Sequence, residues 1–329
     1  MTSPTILITG GAGFIGSALL QELNKRGEKD ILITDVVLDE ERKHHLRPLH
    51  YTEYLSAEEL LVALENEDPL LQGIQTIFHL GACSSTTETD RAFLMENNFE
   101  YTKKLAEWAL ARDVRFVYAS SAATYGDGSA GMQDGIERLD ELHPLNYYGE
   151  SKHLFDLYAR DQGWFDRIVG LKYFNVFGPN EGHKKEMRSL VCKAYEQLIA
   201  TGEVRLFKSY RPEYRDGEQK RDFIYVKDAV AMTLHLASTK DAAGLFNIGA
   251  GVARSWLDLA HALFAALDRP PVIKFIEMPE SIRDQYQYYT CADIAQLRAT
   301  GYTQKVTSLE EAVQDYVQGY LATGKQLGE

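Results

Sequence analysis

Short runs of β-branched and apolar residues recur through the first half of the chain, at Ile6–Thr9, Ile31–Thr34, Thr76–Leu80, Phe116–Ser120 and Ile168–Tyr173. Between them, Phe14–Arg26, Asp90–Arg112 and Tyr148–Gln162 place apolar residues at three- and four-residue spacing, the period of a helix with one buried face. Apolar runs without polar alternation suit strands buried on both faces. Strands of that kind interleaved with helices make a parallel sheet. The expected fold class is α/β, a doubly wound parallel sheet.

After Asn175 the rhythm changes. Glu181–Arg221 is rich in Lys, Arg, Tyr and Gly, with one helical stretch at Met187–Thr201 and one short strand at Val204–Phe207. Phe223–Val226 and Phe246–Ile248 read as a return to the sheet, and from Trp256 the pattern is helix, strand, loop and a final helix at Ser308–Leu321. The expected division is a sheet domain of residues 1–178 with 222–252, and a smaller discontinuous lobe of residues 179–221 with 253–329. There is no internal repeat and no flexible linker.

Composition narrows the class. A content of 45% hydrophobic and 25% charged residues is that of a globular chain, which excludes disordered and collagenous proteins. The net charge of −13 argues against coating nucleic acid or an anionic membrane, so neither is expected as a partner. No apolar run approaches the ~18 residues of a membrane span, and no signal-peptide pattern precedes Ile6. Cys83, Cys192 and Cys291 are odd in number and lack metal-ligand spacing. They read as free thiols of a reducing cytoplasm, with no metal expected.

The first strand runs into Gly10-Gly-Ala-Gly13-Phe14-Ile15-Gly16, which opens the first helix. Glycines there permit a tight turn and let backbone N–H groups at the helix N-terminus approach a pyrophosphate. The second strand ends in Asp35, about 20 residues beyond the loop, where a carboxylate reaches an adenosine ribose. This is the Rossmann signature of a dinucleotide site. Asp35 alone favours NAD, because it pairs with a free 2′-hydroxyl. Arg42 and Lys43 follow closely and could neutralise the 2′-phosphate of NADP, or belong to a solvated stretch.

Tyr148 and Lys152 begin a helical pattern at i and i+4, on one face. A cation beside a phenol favours the phenolate, so Tyr148 is expected to exchange a proton with a substrate hydroxyl. Ser121 ends the fourth core strand at its carboxyl edge, where ligands of such sheets bind, and can hydrogen-bond the same oxygen.

With the Gly10–Gly16 loop, the Ser121, Tyr148 and Lys152 trio, and Arg221-Asp-Phe-Ile-Tyr-Val226, the chain resembles the extended short-chain dehydrogenase/reductase superfamily over its whole length. Four runs are more specific: Phe78–Glu88, Ser120–Gly126, Phe174–Lys184 and Lys220–Val226. With Tyr286–Asp293 they resemble the ADP-L-glycero-D-manno-heptose 6-epimerase family of lipopolysaccharide inner-core synthesis. The resemblance implies tightly bound NADP, a homo-oligomer, and two acid–base residues, Tyr148 and Lys184. It places Leu80, Gly81, Ala82, Ser84, Asn97 and Val176 against the cofactor. Asn175, Phe207, Arg221 and Tyr286 would contact ADP-heptose, with Arg221 on the diphosphate. Glu186 and Lys193 line the same pocket and depart from the pattern, since better-known members carry a small residue and a nearby His there.

The family chemistry suits these residues. The exocyclic carbinol C–H has no adjacent carbonyl, so simple proton abstraction would leave an unstabilised carbanion. Transient oxidation to a ketone avoids it, and a ketone presented on both faces benefits from two acid–bases. A lowered Lys184 pKa would come from burial or from neighbouring cations such as Lys185. A 4,6-dehydratase should carry Asp-Glu where Ala122-Ala123 stands, and a UDP-hexose 4-epimerase has no need of Lys184. A nucleotide-sensing scaffold would often lose Tyr148 and Lys152. From His183 to Lys227, eleven Lys and Arg stand against seven Asp and Glu. That local basic excess suits a diphosphate ligand.

Overall fold

The structure is a computed structural model, which describes residues 4–36, 38–283 and 286–329. In chain order the strands are β1 (Ile6–Thr9), β2 (Ile31–Asp35), β3 (Glu53–Ser56), β4 (Thr76–His79), β5 (Arg115–Ser121), β6 (Ile168–Tyr173), β7 (Asn175–Phe177), β8 (Val204–Phe207), β9 (Lys220–Tyr225), β10 (Gly244–Ile248), β11 (Ala253–Ser255) and β12 (Ile273–Ile276). Seven of them form one sheet in the order β10-β6-β5-β4-β1-β2-β3, with every pairing parallel. This is the expected doubly wound Rossmann sheet. Helices cover both faces, and each face has its own apolar core. One is built on Ile8, Ile33, Val117 and Leu171, and the other on Leu7, Leu32, Phe116 and Ile168. Alternate residues of one strand point to opposite faces, so both sets must be apolar.

The strand order reverses between β1 and β4. The crevice beyond their carboxyl ends is therefore where a ligand is held in such sheets. Thr9 and His79 face each other across that switch point. The Thr9 hydroxyl bonds His79 Nδ1 at 2.7 Å, and His79 Nε2 bonds Thr102 at 2.8 Å, which satisfies a histidine that burial holds neutral.

Two expectations need correction. Phe223–Val226 does not return to the main sheet. As part of β9 it pairs parallel with β7 and antiparallel with β11, in a separate three-stranded sheet. The free edge of β6 is taken by β10, and the chain leaving β6 turns at Phe174 into β7, which offers β9 its ladder. The helix expected from Met187 starts only at Leu190. Ser189 is its cap, accepting from Cys192 N at 3.3 Å, and Gly182–Met187 forms a separate short 3-10 turn.

Asp90–Arg112 is helical as expected, but a π-turn interrupts it over Met95–Glu100. Such turns insert one residue and re-aim its neighbours. β8 and β12 form a separate two-stranded parallel sheet. No helix among the described residues is long and apolar enough to cross a membrane.

Candidate active site

Helix Tyr147–Asp161 carries Tyr148 and Lys152, and Asn146 caps it by accepting from Gly149 N at 2.8 Å. Gly149 lets this helix lie directly on the turn after β5, since a Cβ there would stand 2.8 Å from the Ala123 carbonyl. One turn below Lys152, the fully buried Asp156 accepts from Tyr118 at 2.8 Å, Ser120 at 2.8 Å and Lys172 at 2.9 Å. Lys172 also reaches Thr124 at 2.6 Å, and Thr124 donates to the Ser121 carbonyl at 2.8 Å. A buried charge pair is tolerated only when its remaining hydrogen bonds are satisfied, and here both partners are. The network fastens the strand end bearing Ser121 to the helix bearing Tyr148.

The Lys152 ammonium is 3% exposed and donates to the Ala119 carbonyl at 2.8 Å. Burial lowers its pKa to about 8, against the opposing charge of Asp156. The expectation that Lys152 lowers the Tyr148 pKa does not hold in the protein alone. Burial raises the Tyr148 phenol, and the counteracting influence is its hydrogen bond with Ser121. Lys152 spends its ammonium on a backbone carbonyl. Tyr148 therefore rests as the neutral phenol, a proton donor.

The dinucleotide crevice is built around Gly10, whose φ is +66°. A Cβ there would lie 2.8 Å from the Gly81 backbone, so the glycine loop and the Leu80–Ser84 segment meet without side chains between them. A side chain on Gly16 would strike the Gly10 carbonyl. Gly81 N donates to Thr9 at 3.0 Å. Asp35, at the end of β2, accepts from Ala12 N at 3.2 Å and from Val36 N at 2.9 Å, which sets its carboxylate beside the loop. The first helix starts at Phe14 with no side-chain cap, leaving its N-terminal N–H groups for a ligand. This side-chain-free cradle, with a carboxylate at its edge, fits a pyrophosphate and an adenosine ribose. The structure thus brings the Gly10–Gly16 loop, Asp35 and the Leu80–Gly81 backbone together.

Two expected cofactor residues stand differently. Asn97 bonds the Phe93 carbonyl of its own helix at 2.8 Å. Its neighbour Asn98, fully buried in the π-turn, accepts from Cys83 N at 2.8 Å, and donates to Cys83 O at 3.0 Å and Ser151 Oγ at 2.9 Å. Asn98 thus clamps the Leu80–Ser84 segment to the catalytic helix. Arg42 bonds Asp39 at 2.6 Å, while its buried Nε has no partner among the described residues.

Lys184 lies on the Gly182–Met187 turn, partly buried, with its ammonium 5.0 Å from the centroid of the Phe14 ring. Burial lowers its pKa, Glu181 opposes that shift, and Lys193 adds to it. The neighbouring cation is thus Lys193 and not Lys185, which is exposed and turned aside at φ +50°. Lys184 opens onto a cavity of about 600 Å³. Asn175, Val176, Glu186, Lys193, Phe207 and Tyr286 all line it. Lys193 bonds the Glu186 carbonyl at 3.1 Å, and the Glu186 side chain is exposed.

Arg221 is 6% exposed, 5.0 Å from the Tyr286 ring and 5.7 Å from the Trp256 ring. Its Nη1 donates to the Lys220 carbonyl, and no carboxylate pairs with it among the described residues. A buried guanidinium held by two aromatic faces and lacking a counter-charge is prepared for an anion. Asp222, next to it in the sequence, accepts from the N–H groups of Ala250, Gly251 and Ala292 at 2.6–2.9 Å, tying three segments behind Arg221.

Residues 6–249 match the family described as NAD dependent epimerase/dehydratase. A relative from Nitratidesulfovibrio vulgaris, described as ADP-L-glycero-D-manno-heptose-6-epimerase, is 47% identical over 96% of this chain and 98% of its own length. A relative of the same description from Fusobacterium nucleatum is 46% identical over 96% and 98%. Among solved structures, the Helicobacter pylori ADP-L-glycero-D-manno-heptose-6-epimerase superposes with a TM-score of 0.81 at 28% identity, covering 96% of each chain. With a glycine cradle at the sheet's switch point and relatives matched almost end to end, the chain belongs to the NAD dependent epimerase/dehydratase family, among its ADP-L-glycero-D-manno-heptose-6-epimerases.

Proposed function

We infer that the protein converts ADP-D-glycero-D-manno-heptose to ADP-L-glycero-D-manno-heptose by inverting C6″ through a transient ketone, in the supply of lipopolysaccharide inner core. One observation carries the reading. Two proton-carrying side chains come from separate elements, Tyr148 beside Ser121 and Lys184 over the Phe14 ring that opens the glycine-loop helix.

A nicotinamide cofactor held at the Gly10–Gly16 loop would supply reversible hydride acceptance at C6″, so net redox would be zero. The chain supplies everything else. Gly10, Gly13 and Gly16 would admit the pyrophosphate, Asp35 would meet the ribose, and Lys152, held on the Ala119 carbonyl, would hold the nicotinamide end. Arg221 binds the substrate diphosphate between Tyr286 and Trp256. Asn175 and Phe207 hold the nucleotide-linked sugar, with Glu186 and Lys193 at the edge of the same cavity. Ser121 and Tyr148 hold the substrate oxygen in one orientation of the ketone, and Lys184 holds it in the other. One of these two groups takes the hydroxyl proton at the first face, and the other gives a proton at the second. Burial raises the Tyr148 phenol and lowers the Lys184 ammonium, so the phenol keeps its proton and the amine gives one up more readily.

NADP is the proposed cofactor, with Arg42 on the 2′-phosphate, supported by an Arg42 Nε that has no hydrogen-bond partner among the described residues. A homo-oligomer in the cytoplasm, and the division into residues 1–178 with 222–252 and 179–221 with 253–329, are carried over on the family resemblance. The test is an NMR assay of purified protein with ADP-D-glycero-heptose and no added cofactor, with mass identification of the released dinucleotide. Tyr148→Phe and Lys184→Met should each abolish inversion. Inversion of a UDP-hexose at C4 with the heptose untouched would overturn the reading in favour of a 4-epimerase.

A further inference from the structure

The turn that carries Lys184 is closed by a single side chain. Glu181 is fully buried. Its carbonyl accepts from Lys184 N at 3.1 Å, which starts the turn. Its carboxylate then reaches across to where the turn ends, accepting from Ser189 N at 2.5 Å and from Ser189 Oγ at 2.6 Å. Ser189 in turn caps the helix Leu190–Thr201. Gly178 N approaches the same carboxylate at 3.4 Å, and the Tyr316 phenol of the helix Leu309–Tyr316 bonds toward it from the opposite side, beside Cys192. One residue therefore joins the chain just after β7, both ends of the Lys184 turn, and the helix Leu309–Tyr316. No Lys or Arg forms an ion pair with it among the described residues. A buried carboxylate that accepts only from neutral donors is costly unless its charge serves a nearby cation.

We propose that Glu181 is the positioning residue for Lys184: it closes the turn that holds the ammonium over Phe14, and it supplies the buried negative charge that this ammonium faces. The inference rests on the proposed acid–base role of Lys184. The charged and titratable groups around Lys184 are few. Glu181 favours its ammonium form, Lys193 from the following helix disfavours it, and His183 on the same turn is held neutral by burial. Around Glu181 itself stand Cys192 and Tyr316, both kept protonated by burial. Among the described titratable groups, the Glu181 carboxylate is thus the one that raises the Lys184 ammonium's hold on its proton.

The test is a pH titration of Lys184 that does not depend on turnover. Purified protein with its bound dinucleotide is pulse-labelled with trace acetic anhydride across a pH series, and acetylation of Lys184 is read by mass spectrometry. Glu181→Gln keeps the shape but removes the charge. The labelling midpoint should fall by about one pH unit. In the heptose assay kcat should fall about tenfold or more with KM little changed, and the pH limb assigned to Lys184 should move to lower pH in either reaction direction. A labelling midpoint that stays in place, in a variant with unaltered circular dichroism, overturns the proposal. Ser189→Ala removes the hydroxyl tie and keeps the carboxylate, so it should lower kcat with the midpoint retained. Unchanged kcat there overturns the closing role, even if Glu181→Gln does not fold. An active Lys184→Met is a separate failure. It removes the acid–base reading of Lys184 and leaves the labelling result standing.

Discussion

The Lys184 ammonium lies 5.0 Å from the centroid of the Phe14 ring, so the first residue of the glycine-loop helix also supports the proposed second acid–base group. The ring face favours the cation by about 0.5–1 kcal/mol at a partly exposed site. Phe14→Leu preserves apolar volume and removes that face. Epimerisation should slow by about two- to fivefold with the dinucleotide still retained on gel filtration, which separates loss of the cation's support from loss of the cofactor.

Arg221 contributes through geometry as well as charge. Arg221→Lys keeps a cation but loses the planar fork stacked between Tyr286 and Trp256. A bidentate charged contact is worth about 1.5–3 kcal/mol, so KM for ADP-heptose should rise by about 10- to 100-fold with kcat little altered. Steady-state kinetics decides it. An unchanged KM would remove Arg221 from the diphosphate site.

Asp156→Asn leaves the Lys172 ammonium, 1% exposed, without a counter-charge. Breaking a buried pair on one side costs about 3–5 kcal/mol, while replacing both partners by apolar groups costs far less. Urea unfolding should show a large loss for Asp156→Asn and partial recovery when Lys172→Met is added. Equal stability of the single and double variants would contradict the pairing.

Lys185 adopts φ +50° and ψ −116°, a conformation that suits glycine. Strain of this kind costs about 1–3 kcal/mol, against under about 1 kcal/mol for the added chain freedom of glycine. Lys185→Gly should therefore raise the melting temperature slightly and leave inversion intact, as followed by calorimetry and the NMR assay.

His183 is held neutral by burial and by neighbouring cations, with its pKa lowered from 6.5 to about 3. Between those values the unfolded chain binds a proton that the folded chain refuses. The stability it contributes is therefore complete above about pH 6.5 and is lost as pH falls toward 3. His183→Gln should make the decline of melting temperature from pH 6.5 to 4.5 shallower. A slope identical to that of the parent protein would show that His183 takes no part in acid destabilisation.

Where chemistry is local in the chain, it was legible. The glycine loop and the Tyr148–Lys152 spacing announce themselves within a few residues, and the five apolar runs of the first half all became strands of the main sheet. β3 was not legible, because Glu53–Ser56 is a half-exposed edge strand with a charged residue in it. Asp156 could have been found, since it lies one helical turn beyond Lys152 on the same face. Asn98, Glu181 and Asp222 could not be read in that way. Their roles depend on donors 15, 8 and up to 70 residues away, and on loop closures that no periodicity encodes. The placement of β9 failed for the same reason. A short apolar run states that it will be buried in a sheet, but not in which one.

The two acid–base groups stand on supports of unequal stiffness. Tyr148 is anchored through a network that shares its members with the main core, so changing any of them risks the whole domain. Lys184 hangs from a few residues between Glu181 and Ser189, outside all three sheets. Divergence of a lineage toward a different sugar would therefore be written first in that turn. The strand end and its helix would pass unchanged from one specificity to the next.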